Sequence, residues 1–359
     1  MSSLTENLGL VKHAAGYEGW ADDMNANLDK VDTEFNRIMY SSNPIINGDM
    51  SNWQRGPISN GSGYMADRWA VNNPYGATIA RRDFAPGQTY VPGEPKHYLN
   101  INITTGGDHY IVQPIEDVRT FAGETVSIDF WTYVDSETAF ENVSFGQNFA
   151  NGESPIQWIS IALDNGYNLN PGWNHITGYV ALPSIAGKSI GTSSNLRFRL
   201  DLSHAYTGNW GLTQVSINRG STSYPFKPRP PALEEMLCQR YYEKSWDADT
   251  AAPTTNHGEV LGQASHNIAA STAGNLIAPV HAQFKVTKRT IPTVTLFSSN
   301  NWTQGAILVS GTFNRGGATA AYASRSCPLD YIHLDASSSI AISDRTQIQY
   351  HWVADAELY

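Results

Sequence analysis

Leu196-Arg-Phe-Arg-Leu-Asp-Leu202 alternates apolar and charged residues without a break. A strand repeats its side-chain direction every second residue, so Leu196, Phe198, Leu200 and Leu202 share one face, and Arg197, Arg199 and Asp201 share the other. The same period recurs in Leu99/Ile101/Ile103, Val126/Ile128/Phe130 and Ile159/Ile161/Leu163. Each reads as an antiparallel strand with one face on a core and one in water. Turn clusters separate them, among them Asn60-Gly-Ser62, Thr105-Gly-Gly-Asp108, Asn151-Gly-Glu153 and Asn170-Pro-Gly172. About eight such strands without intervening helices predict an antiparallel sandwich of jelly-roll type over residues 42–226.

Pro225-Phe-Lys-Pro-Arg-Pro-Pro231 closes that unit. Its prolines fix φ and withhold N–H groups, which predicts a stiff strap holding a fixed angle between two domains. Behind it Leu233, Met236, Leu237 and Tyr241 recur at helical spacing, with Glu234 and Glu235 in the first turn. A short amphipathic helix follows, expected to dock its apolar face on a second domain. That domain, 227–359, alternates in Ala282/Phe284/Val286, Thr293-Val-Thr-Leu-Phe297 and Gln347-Ile-Gln-Tyr-His-Trp352 and reads as a smaller β-rich unit. In the N-terminal segment, 1–41, the positions Tyr17, Ala21, Met24, Leu28, Val31, Phe35 and Ile38 are spaced by four and three. This heptad seam predicts a coiled-coil-like helix, with Met24, Leu28, Val31, Phe35 and Ile38 as the oligomerisation surface of a homo-oligomer: a trimer first, a pentamer as the fallback.

The 359 residues suffice for two cores at roughly 100 to 200 residues per domain. Charged residues make up only 16%, while Gly, Tyr and Trp number 30, 18 and 10, a balance that belongs to a mainly β class. A net charge of −10 without any basic tract argues against a nucleic-acid partner. No run approaches the ~20 apolar residues of a membrane span, and Met1-Ser-Ser-Leu-Thr-Glu6 lacks the marks of a secretion signal, so a soluble chain without membrane insertion is expected. Cys238 and Cys327 cannot form a disulfide framework, and Cys238 reads as a small buried hydrophobe.

The chemistry-bearing motifs are few. The chain has no Gly-x-Ser-x-Gly elbow, zinc-binding His-Glu-x-x-His helix or phosphate loop, so no cofactor or metal is expected. His333 and Asp335 read as a solvated pair. Glycoside hydrolysis needs two carboxylates roughly 5 to 9 Å apart in a cleft. A pair such as Asp164 with Glu153 is what 33 acidic residues supply by chance, so an enzyme is not expected. Exposed aromatics are the remaining signal: sugar C–H faces pack on flat rings, and hydroxyls seek Asn, Asp and Arg at the rim. Trp158, Trp173, Trp210, Tyr167 and Tyr206 lie in turn-rich sequence near Asp164, Asn168 and Asn209, and are the glycan-binding candidates. Trp53, Arg55, Asp67, Arg68 and Trp69 read as structural, an aromatic pair with charge partners.

Several stretches carry a resemblance. Leu237-Cys-Gln-Arg-Tyr-Tyr-Glu-Lys-Ser245 behind its proline lead, Leu4-Thr-Glu-Asn-Leu-Gly-Leu-Val11, Asn47-Gly-Asp-Met-Ser-Asn-Trp-Gln-Arg-Gly56, Tyr64-Met-Ala-Asp-Arg-Trp69, Gly208-Asn-Trp-Gly-Leu-Thr-Gln-Val215 and His351-Trp-Val-Ala-Asp-Ala-Glu-Leu358 resemble segments of bacteriophage and prophage virion fibre proteins. Phe130-Trp-Thr-Tyr133 and Gly172-Trp-Asn-His175 are similar to strands of their carbohydrate-binding-module-like jelly roll. The family's last strand usually carries an acid near Asn218, which Ile217-Asn-Arg-Gly220 lacks, so no structural calcium is expected there. The resemblance implies a non-enzymatic fibre or spike, tail fibre first, with head fibres and the spikes of phage-like gene transfer agents as the nearest variant. It implies assembly in the bacterial cytoplasm, attachment to other virion proteins by the N-terminus, display on the particle surface and binding of bacterial surface polysaccharide. A purely structural connector is the competing expectation.

Overall fold

The computed structural model describes residues 3–4, 10–12, 22–28, 30–31, 43–150, 154–252, 264–268, 276–298, 304, 307–311, 314–320, 322–326, 329–337 and 346–358. At the N-terminus β1 (Ser3–Leu4) pairs with β2 (Val11–Lys12), and residues 22–28 and 30–31 are helical. The Asn27 side chain bridges helix and hairpin, accepting from the Val11 N–H and donating to the Val11 carbonyl. Of the seam, Met24, Leu28 and Val31 are exposed; Phe35 and Ile38 lie outside the described residues.

The first domain is a sandwich of two antiparallel sheets. One runs β4 (Gly63–Tyr64), β5 (Ala70–Asn72), β8 (Tyr110–Glu116), β15 (Asn195–Leu202), β10 (Thr138–Asn148), β11 (Gln157–Ser160), with β13 (Asn168–Leu169) also on β10. The other runs β3 (Ile58–Ser59), β6 (Thr78–Asp83), β7 (His97–Ile103), β16 (Gly208–Arg219), β9 (Thr125–Val134), β14 (Gly172–Ala181), β12 (Ala162–Leu163). Leu196, Phe198, Leu200 and Leu202 are buried as their alternation requires, in one core with Leu99, Ile101, Ile103, Val126, Ile128 and Phe130. Each such side chain contributes about 1.5–3 kcal/mol by leaving water. The expected strand through Ile159, Ile161 and Leu163 is instead two: β11 joins one sheet, β12 the other, and the chain crosses the core at buried Ile161, whose N–H donates to the Val143 carbonyl.

The second domain gathers β17 (Tyr242–Lys244), β18 (Ala264–Ile268), β20 (Thr293–Ser298) and β21 (Ile307–Gly311) on β25 (Thr346–Asp355), with β22 (Asn314–Ala320) on β21. A smaller sheet is ordered β19 (Leu276–Gln283), β24 (Tyr331–Ser337), β23 (Tyr322–Ser326). The alternation at 293–297 and 347–352 is strand as read; that of 282–286 is strand only as far as Gln283. Among the described residues no helix is long and apolar enough to cross a membrane.

The helix Pro231–Gln239 forms, but it is turned away from its expected face. Leu233 and Met236 are 46% and 52% exposed, while Glu234 and Cys238 are buried. Polar anchors decide the rotation: the Glu234 carboxylate accepts from Arg229 at 2.9 Å and from the Asn47 N–H, and Arg229 also donates to the Ile45 carbonyl at 2.9 Å. Burial raises the Cys238 thiol well above its ordinary pKa. The strap is thereby tied to the start of the first domain.

A second seam joins the domains through Arg55, Asp67 and Arg68. Arg68 is buried with φ 71°, a conformation costly for a long side chain, and its guanidinium lies 3.5 Å from the Tyr241 ring centroid. Its Nη1 donates to Glu357 and its Nη2 to the Pro114 carbonyl. Burial opposes the charge, but Glu357 and the two neighbouring tyrosines outweigh it, so the Arg68 pKa is raised. Arg55 stacks 3.7 Å over Tyr242 and lies 3.4 Å from both Asp355 and Glu357. Gln54 donates to Asp67 at 2.9 Å and to the Tyr242 carbonyl at 2.8 Å, and burial pushes the Asp67 carboxyl up to about 6. Arg240 and the Tyr241 hydroxyl each reach Glu116 at 2.9 Å.

Removing one partner of a buried ion pair strands the other, at about 3–5 kcal/mol. Glu357→Ala is therefore expected to lower unfolding free energy by about that amount, and Arg68→Met/Glu357→Leu to recover most of it, read by denaturant titration of the three proteins. His351 supplies a pH test. It is 1% exposed, stacked on Trp246 at 4.5 Å and within 3.0 Å of the Ser245 hydroxyl, and burial pushes its pKa down to about 4. A depressed histidine stabilises fully above its unfolded value of about 6.5, and that contribution is lost as pH falls toward 4, by roughly 2–3 kcal/mol. His351→Gln should flatten the fall in denaturation midpoint between pH 7 and 4.5; an unchanged slope would place the acid sensitivity elsewhere.

Candidate functional site

The strands that bury Val143, Phe145, Phe198 and Leu200 on one side present the opposite residues outward. Across β10, Gly146 faces Trp158 of β11 and Arg197 of β15, Ser144 faces Ser160 and Arg199, and Asn142 faces Asp201. Asp201 in turn faces Tyr110 of β8. The six-membered ring of Trp158 lies over Gly146, where an added Cβ would come within 2.7–2.9 Å of three ring carbons. Glycine is needed here for close approach rather than backbone freedom, and Trp158 is left 41% exposed.

Beside the ring, the Arg199 guanidinium is 3.7 Å from the Tyr110 centroid and 5.4 Å from that of Trp158. Its Nε donates to Asp201 Oδ1 at 2.7 Å. Burial raises the Asp201 pKa, and Arg199 works against that rise. Asp108 Oδ1 stands 3.7 Å from both Arg199 Nη2 and His204 Nε2, and Glu141 accepts from the His204 N–H at 3.4 Å. With Asn142, Ser144 and Trp158, the three acids, Arg199 and His204 line an open depression of 540 Å³. Ser144 lines it at 1% exposure, and its hydroxyl has no hydrogen-bond partner among the described residues. A flat ring with one open face, a fixed guanidinium and carboxylate acceptors on rigid strands suit a hydroxyl-rich ligand with flat C–H faces.

The five aromatics singled out by sequence do not form one site. Trp158 stands on this face. Trp173 lies on the outer side of the other sheet, packed among Phe84, Tyr98 and Tyr133 at centroid distances of 5.1, 5.2 and 5.5 Å. Tyr167 is half-buried against the core, its hydroxyl donating to the Ile161 carbonyl at 2.7 Å. Trp210 and Tyr206 are core residues, 0% and 5% exposed, and offer no ring face to a ligand. The turn-rich sequence around Trp210 misled: Gly208–Arg219 is a central strand between β7 and β9, and the Trp210 indole donates inward to Thr132 at 3.1 Å. Tyr206 serves the fold by accepting from the Asp135 N–H and donating to the Asn209 carbonyl. Sequence reasoning missed Arg199 and Asp201 as site residues although it placed them on the wet face; Tyr110, Asn142, Glu141 and His204 carried no signal in one dimension. Of the candidate carboxylate pair, Asp164 is exposed and holds the Thr177 hydroxyl, and Glu153 lies outside the described residues.

A larger cleft of 810 Å³ lies between the proline strap and the outer side of the second sheet. Trp131 there stacks on His175 at 4.7 Å and 12°, so one ring face is already covered. The Asp129 carboxylate, 3.0 Å from His175 Nε2, raises that imidazole's pKa. Five prolines of the strap and the 92–95 loop wall the cleft, together with polar side chains that include Asp49, Asn52, Lys96, His97 and Gln214.

No family model matches the chain, and no curated protein matches it. Among solved structures, the C-terminal family 22 carbohydrate-binding module of Clostridium thermocellum Xyn10B is similar at 16% identity and TM-score 0.32, covering 47% of this chain and 99% of that one. The xylan-binding domain of Paenibacillus barcinonensis Xyn10C matches at 11% identity and TM-score 0.33, covering 51% and 97%. The enzymatically active domain of bacteriophage CBA120 tailspike protein 4 matches at 14% identity and TM-score 0.29, covering 50% of this chain and 21% of that one.

Trp158→Ala is expected to leave the melting temperature within about 2 °C of the parent, whereas Trp210→Ala loses about 3–5 kcal/mol to the cavity it opens. Gly146→Val should lift the Trp158 ring and shift its fluorescence without unfolding the domain. Equal destabilisation by Trp158→Ala and Trp210→Ala would make both rings core.

Proposed function

We propose that the protein is a non-enzymatic glycan-binding protein whose first domain seats a saccharide on Trp158. The observation that carries this is the Trp158 ring laid over Gly146 with its outer face open beside Arg199, Asp201, Asn142 and Glu141. A pyranose stacks on the ring while its hydroxyls donate to the carboxylates at the rim. The sequence resemblance to virion fibres supports the finer reading: a fibre or spike, on a phage tail or on the head of a phage or gene transfer agent, that holds the particle by its N-terminal segment and binds host-surface polysaccharide. The exposed Met24, Leu28 and Val31 support self-association, as a trimer first or as a pentamer at a capsid vertex. Several copies on one fibre raise the local concentration of sites and turn weak contacts into stable adsorption.

Per-site affinity is expected between about millimolar and micromolar, because a few stacked rings and hydrogen bonds must offset the ordering of a flexible glycan. Titration of purified capsule and lipopolysaccharide fragments should show saturable binding that Trp158→Ala weakens at least tenfold. If neither class binds, and particles lacking the protein adsorb to cells normally, the chain is a structural connector instead.

A further inference from the structure

Resting on the glycan-binding reading of the same face, we propose that the Trp158 site selects uncharged saccharides and excludes carboxylated ones. Three carboxylates, Asp108, Glu141 and Asp201, line the cavity, against one guanidinium, Arg199. With His204 counted as neutral the lining carries a charge of about −2. Arg197, the next outward position on β15, spends its Nε on Asn195 at 3.2 Å and does not line the cavity; even counting it, acids exceed bases.

Arg199 already spends one of its two paired edges inside the protein. Arginine reads a carboxylate with two parallel N–H groups. Here Nε and Nη2 are both taken by Asp201, one guanidinium face covers Tyr110, and Asp108 stands 3.7 Å from Nη2. An incoming carboxylate meets three carboxylates and a single guanidinium whose charge Asp201 already offsets, in a protein whose net charge is already −10. Sugar hydroxyls, which can donate, complement the same acceptors, and the unpartnered Ser144 hydroxyl on the cavity lining is a further polar group beside them. Charges of like sign a few ångströms apart near a surface are enough for about a tenfold difference in affinity.

The test uses matched pairs: β-1,4-glucan and α-1,4-galactan hexasaccharides, each beside its C6-oxidised uronic acid form, together with neutral and uronate-bearing fragments of bacterial envelope polysaccharides. Affinities of the full chain are read by calorimetry at pH 7 in 20 and 500 mM NaCl. Neutral members should bind at least tenfold tighter than their acidic counterparts at low salt, the gap narrowing at high salt and in Asp108→Asn/Glu141→Gln. Uronates that bind as tightly as neutral members, or tighter, with binding lost in Trp158→Ala, would overturn the selection while the site stood. If nothing in the set binds, or Trp158→Ala changes no affinity, the site itself falls and the selection with it.

Discussion

Phe145 of β10 and Phe198 of β15 meet in the core with ring centroids 5.5 Å apart, and Phe198 reaches Phe130 of the opposite sheet at 6.1 Å. That contact holds the register of two neighbouring strands. Because side chains alternate, burying Phe145 and Phe198 leaves Ser144, Gly146, Arg197 and Arg199 no direction but outward. A slip of one residue would send the arginines into the core and the phenylalanines to water, at several kcal/mol for each buried charge. The external face is thus a by-product of core packing, and its geometry is as rigid as the sandwich that makes it.

The same rigidity extends into the second domain through β8. Tyr110, at one end of that strand, carries the Arg199 guanidinium, and Glu116, at the other, holds Arg240 and Tyr241. Pro114 between them accepts from Arg68, which binds Glu357 near the end of β25. A buried pair of this kind adds little net stability over a well-packed apolar pair, but it tolerates few arrangements of its partners. Its plainest effect is on position: Arg55 and Arg68, from the N-terminal sandwich, both hold Glu357 near the C-terminus.

Period-two alternation made the sandwich and the main strands of the second domain legible in one dimension, because burial enforces that period. That residues 222–230 carry neither strand nor helix was legible for a different reason, since proline acts on the backbone without regard to tertiary context. What failed was the direction a residue faces where local pattern and tertiary contact disagree. The helix at 231–239 has its apolar stripe outward because Glu234 is claimed by Arg229 and Asn47, a contact across 187 residues. Trp210 sits among turn formers and is nonetheless inside a central strand. The function of Gly146 was invisible as well, since only the fold places Trp158 over it, and Arg55 and Arg68 could be read as structural without revealing that their partners lie some 300 residues away.

Where a saccharide rests is decided most directly by a crystal structure of the full chain soaked with an oligosaccharide. A pyranose ring lying parallel to Trp158 at ~4 Å, the distance of carbon atoms in contact, with hydroxyls on Asp201 or Glu141 and on the Ser144 side, is the result predicted. Sugar density in the strap cleft beside Trp131, or against the Trp173 cluster with the Trp158 ring bare, would contradict it.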